Sequence, residues 1–344
     1  MNEAYVFLLS GIYETLPKAE LESTLAILDP GHVITETLDR VVVAETKETT
    51  AKLVVGRTAY TKLSARLLGT SPTHEKQIIE SINLNLLVQL LPENSTIAVR
   101  GKRIGGASID KVKVEGELGR VILRNIPGLR VNLRNPSHII IFISHPEKTY
   151  IGLIISSKPK HFFKDRIAGR RPFTLPSAMQ PDFSRCMVNL ARARIGGRIL
   201  DPFAGTGGIM IEAALLGYKV YGVELKEWIA RGGLRNLKHY CPGREHMIVG
   251  DARKVMFREN VFEAVVTDPP YGRSTVVPER SFLFLVGEFL SSLNGLLVDD
   301  GRVVMASPEE YDVEDIASAY GFKVAEVHKA KVHGSLVRKV VVME

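Results

Sequence analysis

The chain has 344 residues, 45% of them apolar, with two cysteines and a formal net charge of +7, enough material for two or three domains with sizeable cores. Cys186 and Cys241 form no C-x-x-C or Cys/His pattern, so neither a disulfide framework nor a metal site is encoded, and no metal is expected. No apolar run reaches the ~18 residues of a membrane span and no signal-peptide pattern opens the chain, which leads to the expectation of a cytoplasmic monomer with no membrane partner.

Residues 1–70 predict strand (5–10), helix (17–28), strand (32–37), strand (40–45), helix (48–56) and strand (60–69). This β-α-β-β-α-β order fits a ferredoxin-like α+β N-terminal domain, which by itself indicates no function. Ser71-Pro72 opens a second domain, 71–155. One helix is expected there, with Ile78, Ile79, Ile82, Leu86, Leu87 and Leu90 on its apolar face and Pro92 ending it. Strands follow at 97–100, 138–144 and 149–156, with a basic amphipathic helix over about 109–125.

Residues 156–177 read as a linker rich in Lys, Arg, Pro and aromatics. From 178 to 344, strands at 198–203, 220–225, 246–250, 263–268 and 302–307 alternate with helices at 182–194, from 207, from 227, at 281–294 and at 312–320. Two closing strands, 322–330 and 335–343, join at His333-Gly334. Repeated βα units imply a parallel sheet, and a tightly joined final pair implies one antiparallel member, giving a Rossmann-like seven-stranded α/β domain. The fold class is thus α/β multidomain.

Four motifs fall at predicted strand ends, where open α/β sheets bind ligands. In DPFAGTGG (201–208) the glycines let backbone approach a ligand, but the loop lacks the Lys-Ser/Thr of a P-loop, and Met210 stands at the third glycine position of a dinucleotide fingerprint. Asp201 is placed to accept from the loop amides or to face a cationic ligand. Glu224, 19 residues after Gly205, suits a ribose, and so serves NAD and S-adenosylmethionine equally. Asp251 is placed for an adenine amino group or for capping its own loop. DPPY (268–271) decides between these readings: neither Pro269 nor Pro270 has an N–H, so the segment offers acceptors only, and Tyr271 adds a ring for a base. An amino group on a planar ring is a poor nucleophile, and acceptors on its hydrogens favour its reactive geometry. The motif suits such an amine on guanine or adenine alike.

Positive charge is concentrated in the middle of the chain. Residues 96–156 carry 10 Lys/Arg against 4 Asp/Glu and residues 157–200 carry 10 against 2, a pattern that suits phosphate binding or a solvated basic face.

Residues 178–344 thus resemble a class I S-adenosylmethionine-dependent methyltransferase of the DPPY type. Residues 71–155 resemble a THUMP RNA-binding domain, seen in VRGKR (99–103), in DKVKVEGELGRVILRN (110–125) and in VNLRNPSHIIIFI (131–143). With RRPFTLPSAMQPDFSRCMVNLA (170–191), the whole chain is similar to archaeal tRNA guanosine-10 N2-methyltransferases. The resemblance implies S-adenosyl-L-methionine as cofactor, tRNA as substrate, and a product of N2-methyl- or N2,N2-dimethylguanosine at position 10. It implies catalytic Asp268, Pro269, Pro270 and Tyr271. It implies cofactor binding by Asp201, Phe203, Ala204, Gly205, Thr206, Gly207, Glu224, Leu225, Asp251, Ala252 and Asp268. Lys102, Arg103, Lys111, Lys113, Arg120, Arg124, Arg130 and Arg134 are the candidate RNA contacts. Rival readings are an adenine N6-methyltransferase on RNA or DNA, and an RNA-binding assembly factor with a vestigial methyltransferase fold.

Overall fold

A computed structural model describes residues 2–244, 246–254, 257–271, 279–293, 295–333 and 336–344, without the side chains of 279–281, 332, 333 and 336. The chain divides into two compact units: residues 1–10, 29–56 and 61–158, and residues 11–28, 57–60 and 159–344. Among the described residues no helix is long and apolar enough to cross a membrane.

The N-terminal β-α-β-β-α-β order is present as β1 (Glu3–Leu9), α1 (Leu16–Leu28), β2 (Val33–Leu38), β3 (Val41–Thr46), α2 (Glu48–Arg57) and β4 (Thr61–Ser71), although α1 is part of the second unit. The first unit continues with α3 (Glu75–Glu80), α4 (Leu84–Leu90), β5 (Thr96–Arg103), α5 (Lys111–Asn125), β6 (Arg130–Val131), β7 (His138–Ser144) and β8 (Thr149–Ser157). All eight strands join one sheet in the order β2-β3-β1-β4-β8-β7-β5-β6. The regions 1–70 and 71–155 are therefore continuous through the antiparallel β4–β8 pair, from Leu63 opposite Ser157 to Ser71 opposite Thr149.

The single helix expected after Ser71-Pro72 is two. The Asn83 amide bonds the Leu68 carbonyl of β4 at 2.8 Å, and the Asn83 side chain accepts from Leu86 N at 2.9 Å. An Asn that caps a new helix interrupts the apolar period that would otherwise run through it. The two-residue β6 is too short to leave a sequence pattern. Along α5, Val114, Leu118 and Ile122 are fully buried in a core with Ile97, Val99, Ile140 and Phe142, leaving the opposite face to solvent.

The second unit adds α6 (Pro181–Leu190), β9 (Arg198–Asp201), α7 (Gly208–Leu215), β10 (Lys219–Glu224), α8 (Glu227–Tyr240), β11 (His246–Val249), β12 (Phe262–Thr267), α9 (Glu279–Ser292), β13 (Leu297–Pro308), α10 (Val313–Ala319), β14 (Val324–His333) and β15 (Leu336–Met343). Its seven strands run β11-β10-β9-β12-β13-β15-β14. β11 to β13 are parallel, and β15 runs antiparallel to both β13 and β14, the one antiparallel member expected. Gly334, half of the expected joint before β15, lies outside the described residues. Side chains alternate between two cores, as the period of 2 requires. Ile199, Val220, Ala264 and Val304 pack with residues of α1, α6 and α7, while Leu200, Val223, Val265 and Val303 pack with those of α9 and α10.

From Pro159 onward the basic connector is part of this unit, anchored by a buried ionic group. Glu212 on α7, fully buried, pairs with Arg166 of the connector at 2.7 Å and with Arg185 of α6 at 2.6 Å. Glu20 of α1, also buried, accepts from the amides of Ala59 (2.6 Å) and Tyr60 (2.9 Å) and from Asn189 Nδ2 (2.8 Å).

Candidate functional site

After β9 the chain steps outward to β10 and β11, then returns to β12 on the other side of β9. The crevice at such a reversal, beyond the carboxyl ends of the strands, is where an open α/β sheet takes its ligand. The four motifs meet there. Asp201 ends β9 and is buried; its Oδ1 accepts from Thr267 Oγ1 of β12 at 2.8 Å and from the Phe203 amide at 3.3 Å. Burial pushes its carboxyl up to about 7, with the Thr267 hydroxyl opposing and the carboxylates of Asp268 and Glu224 adding.

The glycine loop turns tightly over this carboxylate. Gly205 and Gly207 take φ of +51° and +79°, the left-handed region that disfavours a side chain, and Gly207 caps α7. Ala204 ties the loop to β10 by donating to the Val223 carbonyl at 2.9 Å, and its own carbonyl accepts from Gly207 N at 2.8 Å. The Phe203 ring stands edge-on to Phe289 of α9 at 5.3 Å. Gly205 N donates to Glu224 Oε2 at 3.1 Å, and Lys226 N donates to Glu224 Oε1 at 2.9 Å. Leu225 beside it is 65% exposed. Backbone bonding continues from the Glu224 carbonyl to Gly250 N at 3.1 Å, which brings Asp251 to the same rim. Asp251 is engaged by its neighbour: Arg253 Nη2 meets Oδ2 at 2.7 Å and Nε meets Oδ1 at 3.0 Å, so hydrogen bonding to Arg253 holds this carboxyl below its ordinary range. Ala252 is buried, its carbonyl accepting from Ser292 Oγ at 3.0 Å.

DPPY follows β12. Pro269 is buried and Pro270 exposed. Burial raises the Asp268 carboxyl, and Arg338, whose Nη2 lies 3.6 Å from Oδ2, opposes that rise. The Tyr271 ring stands edge-on to Phe282 at 5.9 Å. The Tyr271 hydroxyl interacts with both the Asp268 carboxyl and the Arg338 guanidinium, yet among the described residues buried Asp268 Oδ1, Tyr271 Oη and Arg338 Nε make no hydrogen bond of ordinary geometry. Orphaned groups of this kind are rare in native structures and ask for a partner.

Several residues of the site carried no motif. Asn236 of α8, fully buried, donates from Nδ2 to the carbonyls of Thr206 (2.9 Å) and Phe173 (2.8 Å) and accepts from Phe173 N (2.9 Å), so it clamps the glycine loop to the connector. A side chain at Gly233, one turn earlier, would press on the Gly205 carbonyl at 2.9 Å. Arg171 donates from Nε to Arg166 O and from Nη2 to Met179 O, while Nη1, buried and without a partner among the described residues, lies 2.8 Å from where a side chain on Gly208 would begin. Arg338 is two positions into β15 and opposite Pro308; an antiparallel strand brings its start to the rim where the parallel strands end.

In the first unit Lys102, Arg103, Arg120, Arg124, Arg130 and Arg134 are exposed. Arg103 Nη1 reaches the Ile109 carbonyl at 3.4 Å, whereas Lys102, Arg120, Arg124, Arg130 and Arg134 have no acidic partner among the described residues. Lys111 and Lys113 are engaged, with Glu115 at 3.7 Å and Glu75 at 2.7 Å. Two basic residues outside the basic segment also belong to this surface: after partial burial, the positive charges of Lys102 and Arg40 hold Lys62 below its ordinary value. Three cations brought together by folding leave no signal in a count of charge along the chain.

A sheet of this order, with a glycine loop, acids at successive strand ends and D-P-P-Y after the fourth, defines a class I methyltransferase. Residues 168–340 match the family described as RMKL-like, methyltransferase domain, and residues 73–153 match the THUMP domain. The fold agrees with the crystal structure of TrmN from Thermus thermophilus, with a TM-score of 0.57, 21% identity and 99% of each chain covered. The chain is 40% identical to the tRNA (guanine(10)-N2)-dimethyltransferase of Pyrococcus abyssi over 72% of its own length and 74% of the relative's. It is 32% identical to that of Methanothermobacter thermautotrophicus over 98% of both. The chain belongs to the family of archaeal tRNA (guanine(10)-N2)-dimethyltransferases.

Proposed function

We propose that this protein transfers methyl groups from S-adenosylmethionine to the exocyclic N2 of guanosine 10 in tRNA, giving N2-methylguanosine and then N2,N2-dimethylguanosine. The observation that carries this reading is Asp268, whose buried Oδ1 makes no hydrogen bond of ordinary geometry among the described residues and stands at the head of the D-P-P-Y segment, where neither proline offers an N–H. The residues around that loop fit the methyl donor. Each Glu224 oxygen accepts one backbone N–H and keeps a second lone pair for a ribose hydroxyl. Arg171 Nη1, orphaned beside the N-terminus of α7, suits a carboxylate such as that of the amino-acid end. Leu225 and Ala252 are apolar neighbours for an adenine, and Asp251 adds an acceptor through the lone pairs Arg253 leaves free.

When bound, S-adenosylmethionine supplies an electrophilic methyl group on a sulfonium. The chain supplies position and a proton acceptor. Asp268 Oδ1 holds the amine hydrogen, which directs the nitrogen lone pair at the methyl carbon; as that N–C bond forms, the S–C bond breaks and the amine proton passes to the carboxylate. The Tyr271 ring offers the flipped base an apolar face, and unstacking costs a few kcal/mol that phosphate contacts elsewhere offset. Lys102, Arg103, Arg120, Arg124, Arg130 and Arg134 take the backbone phosphates, with Lys111 and Lys113 available once their ion pairs open. Incubating the protein with labelled S-adenosylmethionine and unmodified tRNA, then analysing the nucleosides by mass spectrometry, tests the proposal. N2-methylated guanosine is expected. N6-methyladenosine would overturn the guanine assignment and leave methyl transfer standing.

A further inference from the structure

D-P-P-Y selects for an amine on a ring but does not tell guanine from adenine, and the structure holds a group that can. Arg338 lies against the DPPY residues, its Nη2 3.6 Å from Asp268 Oδ2, its guanidinium carbon 5.8 Å from the centre of the Tyr271 ring and 5.9 Å from that of Phe183. Its side chain is 14% exposed, so a desolvated cation is fixed between two rings. At 3.6 Å the pair with Asp268 is looser than a hydrogen bond, and although the guanidinium interacts with the Tyr271 hydroxyl, its buried Nε makes no hydrogen bond of ordinary geometry among the described residues. An arginine that served only to hold Asp268 would be expected to bind it through two short, parallel bonds. The Tyr271 hydroxyl lies between the two groups and interacts with both, but a guanidinium has more donors, and a carboxylate more lone pairs, than one hydroxyl can take up.

We propose that Arg338 is the specificity-determining residue, donating to the O6 carbonyl of the target guanine while Asp268 accepts from its N2 amine. The inference rests on the methyltransferase reading and adds how the base is chosen. Guanine carries N2 and O6 on either side of N1, an amine and a carbonyl on one edge, and the side-by-side carboxylate and guanidinium are their complement. Adenine placed with its N6 at Asp268 turns a C–H toward Arg338 and leaves a desolvated N–H unpaired, which such sites reject strongly. The second ring, Phe183, comes from α6 and holds the guanidinium so that it need not collapse onto Asp268.

The experiment compares tRNA carrying guanosine at position 10 with the same tRNA carrying 6-thioguanosine, which keeps N1–H and the N2 amine and replaces O6 by a weak acceptor. For the native protein, kcat/KM should favour guanosine by about 10- to 100-fold, the discrimination a good polar base contact provides. Arg338→Met removes the charge beside Asp268 and so slows both substrates, but it should lower turnover of guanosine tRNA by about 10- to 100-fold more than that of the thio tRNA. Equal losses on both substrates would overturn the proposal, because a structural role cannot sense the base. So would native protein that uses the two substrates equally well, a result independent of any variant. Arg338→Lys, which keeps the charge without the planar fork, should lose most of the discrimination, and full retention would count against donation from the guanidinium. Should the native protein place no methyl on guanosine tRNA, the function reading falls and this inference with it.

Discussion

The Thr267 hydroxyl donates to Asp201 Oδ1 across 2.8 Å, joining the ends of β12 and β9 at the point where the strand order reverses. This bond, the Phe203 amide and nearly complete burial fix the carboxylate under the glycine loop, and they set its proton affinity.

With the Asp201 carboxyl at about 7 in the folded protein against an ordinary 3.8, the folded state holds a proton that the unfolded chain releases between those values. Stability should therefore fall as the pH rises from about 4 to about 7, by at most about 4 kcal/mol from this group, and then level off. Asp201→Asn keeps the Thr267 bond and removes the titration. Its melting temperature, relative to the native protein, should be higher at pH 8 than at pH 5; the same offset at both would refute the assignment.

Glu224→Ala should weaken S-adenosylmethionine binding by at least about tenfold, since two charge-assisted hydrogen bonds at roughly 1.5 to 3 kcal/mol each lose their acceptor and the loop amide of Gly205 loses its partner. Calorimetric titration reads it. Unaltered affinity in a folded variant would remove this residue from the cofactor site.

Asp268→Asn should cut kcat by about 10² to 10⁴ and leave cofactor and tRNA affinity within a few-fold, because the carboxylate acts on the reacting amine and not on the remote parts of either ligand. In the native enzyme burial raises the Asp268 carboxyl, so kcat should fade, as pH is lowered, already above the ordinary carboxylate range. A variant retaining near-native kcat would refute the role.

Glu212→Ala leaves buried Arg185 and part-buried Arg166 without their common anion, a change that costs about 3 to 5 kcal/mol in comparable interiors. Arg231→Ala on α8 breaks a pair whose side chains are 76% and 64% exposed, and should cost less than about 1 kcal/mol. Denaturation midpoints compare them directly. Equal effects would mean the buried group anchors nothing.

Much of this was legible because the signals were local. Alternating apolar runs marked the strands, and residues at the ends of β9, β10 and β12 were brought together because every parallel strand ends on one rim. What stayed hidden depends on pairing between distant segments. The β4–β8 ladder joins residues about 86 positions apart in sequence, which no period reports. Arg338 reaches the site only because β15 is antiparallel and in register with β13, and Asn236 because α8 packs on the loop. Asp251 shows another limit: its position left an adenine acceptor and a loop cap both open, and in the structure the backbone and side chain of Arg253, two residues on, take up much of the carboxylate.

RNA binding by the first unit should be salt-dependent in proportion to the phosphates it neutralises, because each neutralised phosphate releases condensed counterions. Arg120 and Arg124 lie one turn apart on the exposed side of α5, opposite buried Val114, Leu118 and Ile122, with no acidic partner among the described residues. Lys113 on the same helix is tied to Glu75 at 2.7 Å and must break that pair to bind a phosphate. Arg120→Glu with Arg124→Glu should therefore weaken tRNA binding sharply and lower the slope of log K against log salt by about one for each phosphate left without its arginine. Lys113→Ala should do less on both measures, since the free protein already satisfies that charge. Affinities measured from about 50 to about 300 mM salt for the native protein and these variants decide it. A flat salt dependence, or native affinity and slope in the Arg120→Glu, Arg124→Glu variant, would take phosphate binding off this face of α5.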